Sequence, residues 1–324
     1  MTLELQILAA FGLDLLVGDP RWLPHPVKGI YKLATAMEPA ARRLLRNERL
    51  AGVVTALLVY AVAGGAAWGL IVAAGLLHPL AGDVVGALVI YTTIAARDLT
   101  RHSMAVYRPL RSGDLTEARR RVGWIVGRDT KQLDEAGVTR AAVESVAEST
   151  VDGVTAPIFY AAMFGPVGAM VYRAINTLDS TFGYRNERYA RFGWASARID
   201  DLANLLPARL TAVVMVLAAA IVQRRPLATA RVILRDARNH QSPNAGFPES
   251  AMAGALAVQL GGVNYYDGEP LAKPTLGDAA GPLSATHIVR ANIMMYVTAG
   301  LFLLLCLGAR LGIETLWHAW RGGA

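Results

Sequence analysis

One cysteine, Cys306, stands in 324 residues, so no intrachain disulfide can staple the fold. Charge is scarce as well. Asp, Glu, Lys and Arg make up 18% of the chain, against about 25% in soluble domains. Few segments alternate apolar and polar residues with period two, which argues against a sheet. No repeat of fixed period and no low-complexity tract is present. There is no G-x-x-x-x-G-K-[ST] phosphate loop and no G-x-G-x-x-G after a strand. Cys and His spacings do not suit zinc, and no G-x-S-x-G elbow offers a serine nucleophile. Any nucleotide chemistry would therefore use an uncommon site. The N-terminal apolar segment lacks a basic start and contains Asp14, so it is expected to be retained and not cleaved as a signal peptide.

What the chain has is apolar length. Its composition is 54% hydrophobic, with mean hydropathy +0.35. A spanning helix needs about 20 apolar residues. Ala51–Leu77 and Ala291–Ala309 carry no charge at all and are expected to span fully. Shorter or interrupted spans are expected near 2–17, 84–96, 153–172 and 205–223. Gly165-Pro166 breaks the middle of the third, because proline removes a helix hydrogen bond.

The net charge of +7 fits basic cytoplasmic loops better than nucleic-acid binding, since no aromatic and basic RNA signature accompanies it. Residues 18–50 carry seven Lys or Arg and 97–149 carry ten, while the connection His78–Asp83 carries none. Residues 224–290 carry seven more. Helical loops over 18–50, 97–149 and 224–290 are therefore expected in the cytoplasm. The stretch 177–202 fits less simply. It lies outside if both neighbouring apolar segments span, and inside if they are re-entrant or interfacial. Pro166 and the short run Leu210–Gln223 favour the second arrangement. The expectation is an all-α integral membrane protein with one membrane domain over 1–324. It is a multi-span helical bundle in the lipid bilayer, with re-entrant or interfacial helices and a polar site on the cytoplasmic side.

Several polar motifs sit at the edges of the apolar runs. In "ESVAESTVDG", Glu144, Glu148 and Asp152 recur every four residues and fall on one wrapping helix face. No basic residue lies within four positions of Glu148 or Asp152. A solvated acidic face is one reading. A Mg²⁺ site is the other, since Mg²⁺ takes one or two carboxylates plus phosphate oxygens. "NTLDSTFGYRNERY" gathers Asn176, Asp179 and Arg185, either as an interfacial loop with snorkelling arginines or as a phosphate-binding element. "ARIDDLANLLPARL" places Arg198, Asp200 and Asp201 before an apolar run, as helix caps or as cleft carboxylates. "NHQSPNAGFPES" offers His240 and Asn244 on a polar turn, and "GDPRWLPHP" offers His25.

"LDLLVGDPRWLPHPV", "GRDT", "ESVAESTVDGVTAPIFY", "NTLDSTFGYRNERY", "ARIDDLANLLPARLTA" and "SPNAGFPESAMAGALAVQLGG" together resemble the adenosylcobinamide-phosphate synthase family, CobD/CbiB, of cobalamin biosynthesis. The resemblance covers Leu13 to about Gly262. Ser149, Arg173 and Phe247 stand where the family commonly has asparagine, lysine and tryptophan.

The resemblance implies a membrane amide ligase. It would join adenosylcobyric acid to an aminopropanol arm, usually its O-phosphate, using ATP and Mg²⁺. Other membrane enzymes of the corrinoid nucleotide-loop pathway are its expected neighbours. On this view Glu144, Glu148 and Asp152, with Asp179, hold Mg²⁺. Arg128, Lys131, Arg185 and Arg198 grip phosphates, with Asn176 and His25 in supporting positions. Asp200 or Asp201 accepts the proton of the attacking ammonium, and His240 and Asn244 bind corrinoid amides. Two other classes remain open: a transporter with an acidic ion path at a broken helix, and a membrane scaffold without catalysis.

Overall fold

The computed structural model describes residues 1–20, 22, 25–184 and 186–322, with side chains as far as 315. In chain order come α1 (Leu3–Val17), α2 (Pro26–Leu44), α3 (Glu48–Leu77), α4 (Pro79–Tyr91), α5 (Ala96–Arg111) and α6 (Leu115–Val122). Next, α7 (Glu135–Thr150) runs through a π turn (Val151–Thr155) into α8 (Ala156–Phe182). Then follow α9 (Trp194–Ala203), α10 (Leu205–Val222), α11 (Pro226–Asp236), a 3₁₀ turn (Ala237–Asn239) and α12 (Gly246–Leu256). Strands β1 (Leu260–Tyr266) and β2 (Glu269–Leu276) precede the last helix, α13 (Thr286–Gly322).

Local chemistry sets many of these boundaries. Asn47 accepts hydrogen bonds from the Arg49 and Leu50 amides at the start of α3. His25 and His78 cap α2 and α4, and each is followed by a proline in the first turn, where a missing N–H costs nothing. Asp134 caps α7 through the Gly137 amide.

Among the described residues, five helical stretches are long and apolar enough to cross a membrane. They are Glu48–Leu77, Pro79–Arg111, Glu135–Phe182, Leu205–Val222 and Thr286–Thr315. The segments expected near 51–77, 84–96, 153–172, 205–223 and 291–309 all fall within them. The segment near 2–17 forms α1, whose 15 residues are shorter than a membrane crossing requires. Inside α8, Gly165 leaves helical geometry (φ 69, ψ −165) just before Pro166, which places the kink where the sequence put it.

The chain divides into two compact units. The first holds Met1–Ala95, Ala156–Asn204 and the chain from Leu304 onward. In it, α3 packs against α2, α4, α8 and α9. Its inward face is mostly small residues: Ala51, Gly52, Ala56, Ala63, Gly64 and Ala67. Its outward face exposes Leu57, Leu58, Val62, Trp68 and Leu70. That inversion suits lipid, where large apolar side chains face the acyl chains and small ones let backbones approach. A Cβ at Gly52 would lie 1.8 Å from the Phe192 carbonyl oxygen, so only glycine fits that contact.

The second unit holds Ala96–Thr155 and Leu205–Leu303. Its centre is α12, buried along its whole length except at Phe247. Around it lie α7, α10, α11 and the two strands.

Those strands correct the sequence-based reading, which expected no sheet. β1 and β2 pair antiparallel, with Tyr266 opposite Glu269. Asp267 and Gly268 turn the chain at φ 50 and 83, the positive values a two-residue type I′ hairpin needs. Asp-Gly is the strongest short hairpin signal. Weak alternation and two prolines in β2 masked it, and Gly261 adds a register shift at the far end.

Candidate functional site

In the second unit, the "GRDT" loop, α7, the turn before α12 and the hairpin enclose a polar cavity of about 210 Å³. Arg128, Glu144, Glu148, His240, Glu249, Tyr266 and Lys273 line it, with Ser145 and Ser149.

The loop is fastened to the hairpin at three points. The Asp129 amide donates to the Tyr265 carbonyl at 2.8 Å, and the Asp129 carboxylate accepts from the Gly268 amide at 2.8 Å. Arg128 Nη1 donates to Asn264 Oδ1 at 2.8 Å. The hairpin thereby fixes the loop and carries Lys273 into the cavity.

Glu144 is committed to the framework. Its carboxylate lies 2.5 Å from Arg128 Nη2 and accepts from the Gly261 amide at 2.7 Å. Arg140 approaches it at 4.0 Å and donates to the Gly261 carbonyl at 2.5 Å. Glu144 is buried, and Arg128 is partly buried beside it. Glu148, one turn on, opens onto the cavity. Glu249 faces it from the first turn of α12, with His240 Nε2 at 3.7 Å. Burial pushes the Glu249 carboxyl well above the usual carboxylate range, and the nearby Glu144 and Glu148 push it further. Burial also lowers the His240 imidazole, helped by the positive charge of Lys273.

Glu144, Glu148 and Asp152 were expected to act as one set. The structure brings Glu144 and Glu148 to the cavity together with Glu249, while Asp152 is not among the lining residues. Asp152 sits beyond α7, in the π turn that begins at Val151. Among the described residues, no group of three or more His, Cys, Asp or Glu side chains is arranged to hold a metal ion.

The donors present fit a more open site. Glu148 and Glu249 offer carboxylate oxygens beside phosphate-seeking Arg128 and Lys273. Mg²⁺ prefers one or two carboxylates completed by phosphate and water oxygens. Lys131, expected on phosphate, is exposed in the turn before α7 and does not line the cavity. Lys273 stands there instead. Neither Glu249 nor Lys273 carried a sequence signal strong enough to single it out: one reads as a helix start, the other as a loop residue.

The remaining candidates separate by unit. Asn244, buried in the second unit, accepts from Arg209 Nη1 at 3.2 Å and lies outside the cavity lining. In the first unit Asp200 is half-buried near Asp179, with the Asn204 amide donating to its Oδ2 at 3.0 Å and Asn176 reaching it as well. The Tyr172 hydroxyl in turn donates to Asn204 Oδ1 at 2.8 Å. Burial, reinforced by the Asp179 charge, pushes the Asp200 carboxyl up to about 7. Asp201 and Arg198 form an exposed pair at 3.4 Å, the ordinary arrangement of a solvated helix face. His25 accepts the Val27 amide at 3.3 Å and lies 3.5 Å from Asp19, so its visible work is capping α2. Arg185 lies outside the described residues.

Helices of this length and apolarity make the chain a multi-pass membrane protein, and its polar chemistry is gathered in buried recesses between helices. The chain belongs to the CobD/Cbib family: the family model described as CobD/Cbib protein matches residues 7–295. It is 54% identical to the "Cobalamin biosynthesis protein CobD" of Geobacter metallireducens, over 92% of this chain and 94% of that one. It is 43% identical to the protein of the same name from Klebsiella pneumoniae, over 93% and 95%. The "Cobalamin biosynthesis protein CbiB" of Salmonella choleraesuis is 44% identical, over 95% and 97%. No solved structure matches the chain.

Proposed function

We propose that this chain acts in cobalamin biosynthesis as an ATP- and Mg²⁺-dependent amide ligase. It joins adenosylcobyric acid to (R)-1-amino-2-propanol O-phosphate, or to aminopropanol, and gives adenosylcobinamide phosphate or its dephosphorylated counterpart. The names of its relatives support the pathway. The observation that carries the chemistry is the cavity in which Glu148 and Glu249 face Arg128 and Lys273.

A carboxylate resists attack by an amine because its oxygen leaves badly. Transfer of the γ-phosphoryl group from ATP to that oxygen forms an acyl phosphate and releases ADP. The amine then attacks the acyl carbon, and inorganic phosphate leaves with the former carboxylate oxygen. Such transfer depends on placement and on neutralising phosphate charge.

In this reading Glu148 and Glu249 hold Mg²⁺, which supplies charge neutralisation when bound. Arg128 and Lys273 hold phosphate oxygens, Arg128 being aimed by Glu144 and Asn264. The basic loops favour a site on the cytoplasmic side.

The test uses purified protein, Mg-ATP and adenosylcobyric acid labelled with ¹⁸O in its free carboxylate. Label should appear in inorganic phosphate once the aminopropanol substrate is added. Label in AMP would mean adenylation, and amide formation without ATP would end the proposal.

A further inference from the structure

α11 has two unlike faces. Thr229, Val232 and Asp236 are buried on one. At about 100° per residue, Leu227, Arg231 and Leu234 fall within about 60° of each other on the opposite side. All three are exposed, Leu227 by 81% and Leu234 by 85%. One exposed leucine is ordinary. Two on a single stripe of an 11-residue helix leave an apolar face uncovered.

That face cannot turn inward, because the other side of α11 is fastened. A Cβ at Gly254 of α12 would lie 2.8 Å from the Thr229 Cα, so the two helices meet backbone to backbone. Asp236 accepts the Gly277 amide at 2.8 Å, and Arg235 reaches Asp278 at 3.0 Å. The leucine stripe is therefore a fixed outer surface.

The chain places this surface at a bilayer boundary. α10 has 18 residues and spans about 27 Å, close to the thickness of a hydrocarbon core. Val213, Leu217 and Ile221 are exposed along it, as a lipid-facing row would be. Only Gln223, Arg224 and Arg225 separate its end from α11. Arg224 takes φ 54, and the Arg225 amide donates back to the Ala219 carbonyl at 3.2 Å, so the chain turns at once. Pro226 then opens α11 where α10 emerges.

The charges agree. Arg224, Arg225 and Arg231 are exposed and make no ion pair among the described residues. Asp236, the one acid between 224 and 240, is buried and engaged with Arg235. Leucines flanked by arginines suit a helix lying in the interface, with apolar side chains among the acyl chains and arginines snorkelling to phosphates. Several cations beside a span favour anionic headgroups.

We propose that α11 lies in the headgroup region of an anionic bilayer, with Leu227 and Leu234 inserted at the acyl boundary and Arg224, Arg225 and Arg231 on lipid phosphates. The proposal does not depend on the ligase reading, and its test measures no turnover.

The test uses the full chain in nanodiscs of phosphatidylcholine and phosphatidylglycerol. Cys306 is buried, and the parent chain treated with the same thiol-reactive nitroxide measures its background. Leu227→Cys and Leu234→Cys carry the label, with Leu217→Cys as the lipid reference and Glu269→Cys, beside the hairpin turn, as the water reference. Labels at 227 and 234 should meet oxygen and be shielded from a water-soluble nickel chelate, at a depth of about 5–10 Å. Nickel access equal to that at 269 overturns the proposal. Shielding from both reagents also overturns it, because that result means a protein partner such as a second copy. A fluorophore at 227 then reads the local lipid through quenching by brominated phosphatidylglycerol or brominated phosphatidylcholine. The parent should favour the anionic lipid by about threefold or more. Arg224→Gln/Arg225→Gln/Arg231→Gln should abolish that preference, while the three lysine substitutions keep it. No preference in the parent, or one unchanged by the glutamines, overturns the headgroup assignment.

Discussion

Glu144→Gln separates a positioning residue from a metal ligand. The Glu144 carboxylate is buried, lies 2.5 Å from Arg128 and accepts the Gly261 amide at 2.7 Å. Removing one partner of a buried ion pair costs about 3–5 kcal/mol, because the other charge is left uncompensated. Glutamine still has an oxygen for the Gly261 amide, so the lower figure applies, about 3 kcal/mol. At about 1.4 kcal/mol per tenfold change, that raises local opening roughly a hundredfold.

Hydrogen exchange reads this directly. The Gly261 amide should exchange about 100-fold faster in Glu144→Gln, and similarly in Arg128→Gln. The double variant removes both charges, so its opening should be well below the product of the two effects. A coupling of about 1–3 kcal/mol is expected for residues in one network. The Mg²⁺ concentration for half-maximal turnover should stay within about threefold of the parent in Glu144→Gln, while maximal turnover falls. Independent effects of the two single substitutions, or a large shift in the Mg²⁺ requirement, would refute the positioning role.

Glu148→Gln and Glu249→Gln each remove a charge with little change in size, and each should cut Mg²⁺-dependent turnover about a hundredfold or more while the protein stays inserted. Near-parental turnover in both would remove these acids from the proposed metal site. The Asp200 carboxyl, raised to about 7 by burial and the Asp179 charge, makes stability depend on pH, and Asp200→Asn should remove that dependence when unfolding is followed across pH. The raised value favours the protonated folded state at low pH, and that contribution is lost as pH climbs from 3.8 through about 7. Gly268→Ala places a side chain at φ 83 and should cost about 1–2 kcal/mol of hairpin stability, seen as faster exchange across β1 and β2 and a higher KM for ATP. A single cysteine introduced at position 186 should react with impermeant reagents only after cell disruption, and labelling from outside intact cells would place that loop on the opposite side.

The sequence alone was enough for the membrane character. Spanning depends on an uninterrupted apolar length, and that is a local property of the chain. The kink of α8 was equally legible, since Pro166 and Gly165 act on their own turn. So were the polar blocks and the family they resemble, because their order along the chain is sequence information. The hairpin was half legible: Asp267-Gly268 announces a turn, but two-stranded pairing depends on a partner and not on either strand's own pattern.

The composition of the site was decided only in three dimensions. Glu144 has Arg140 as its near basic neighbour in sequence, yet its closest partner is Arg128, sixteen positions earlier. Glu148 has no cation nearby in sequence, and Lys273 reaches the same cavity from a strand over a hundred residues away. Asp152 looked equivalent to Glu144 and Glu148, yet it sits in the π turn after α7 and does not line the cavity. A spacing rule holds only as far as the helix that carries it, and the pairing of buried charges is settled by which segments fold against each other.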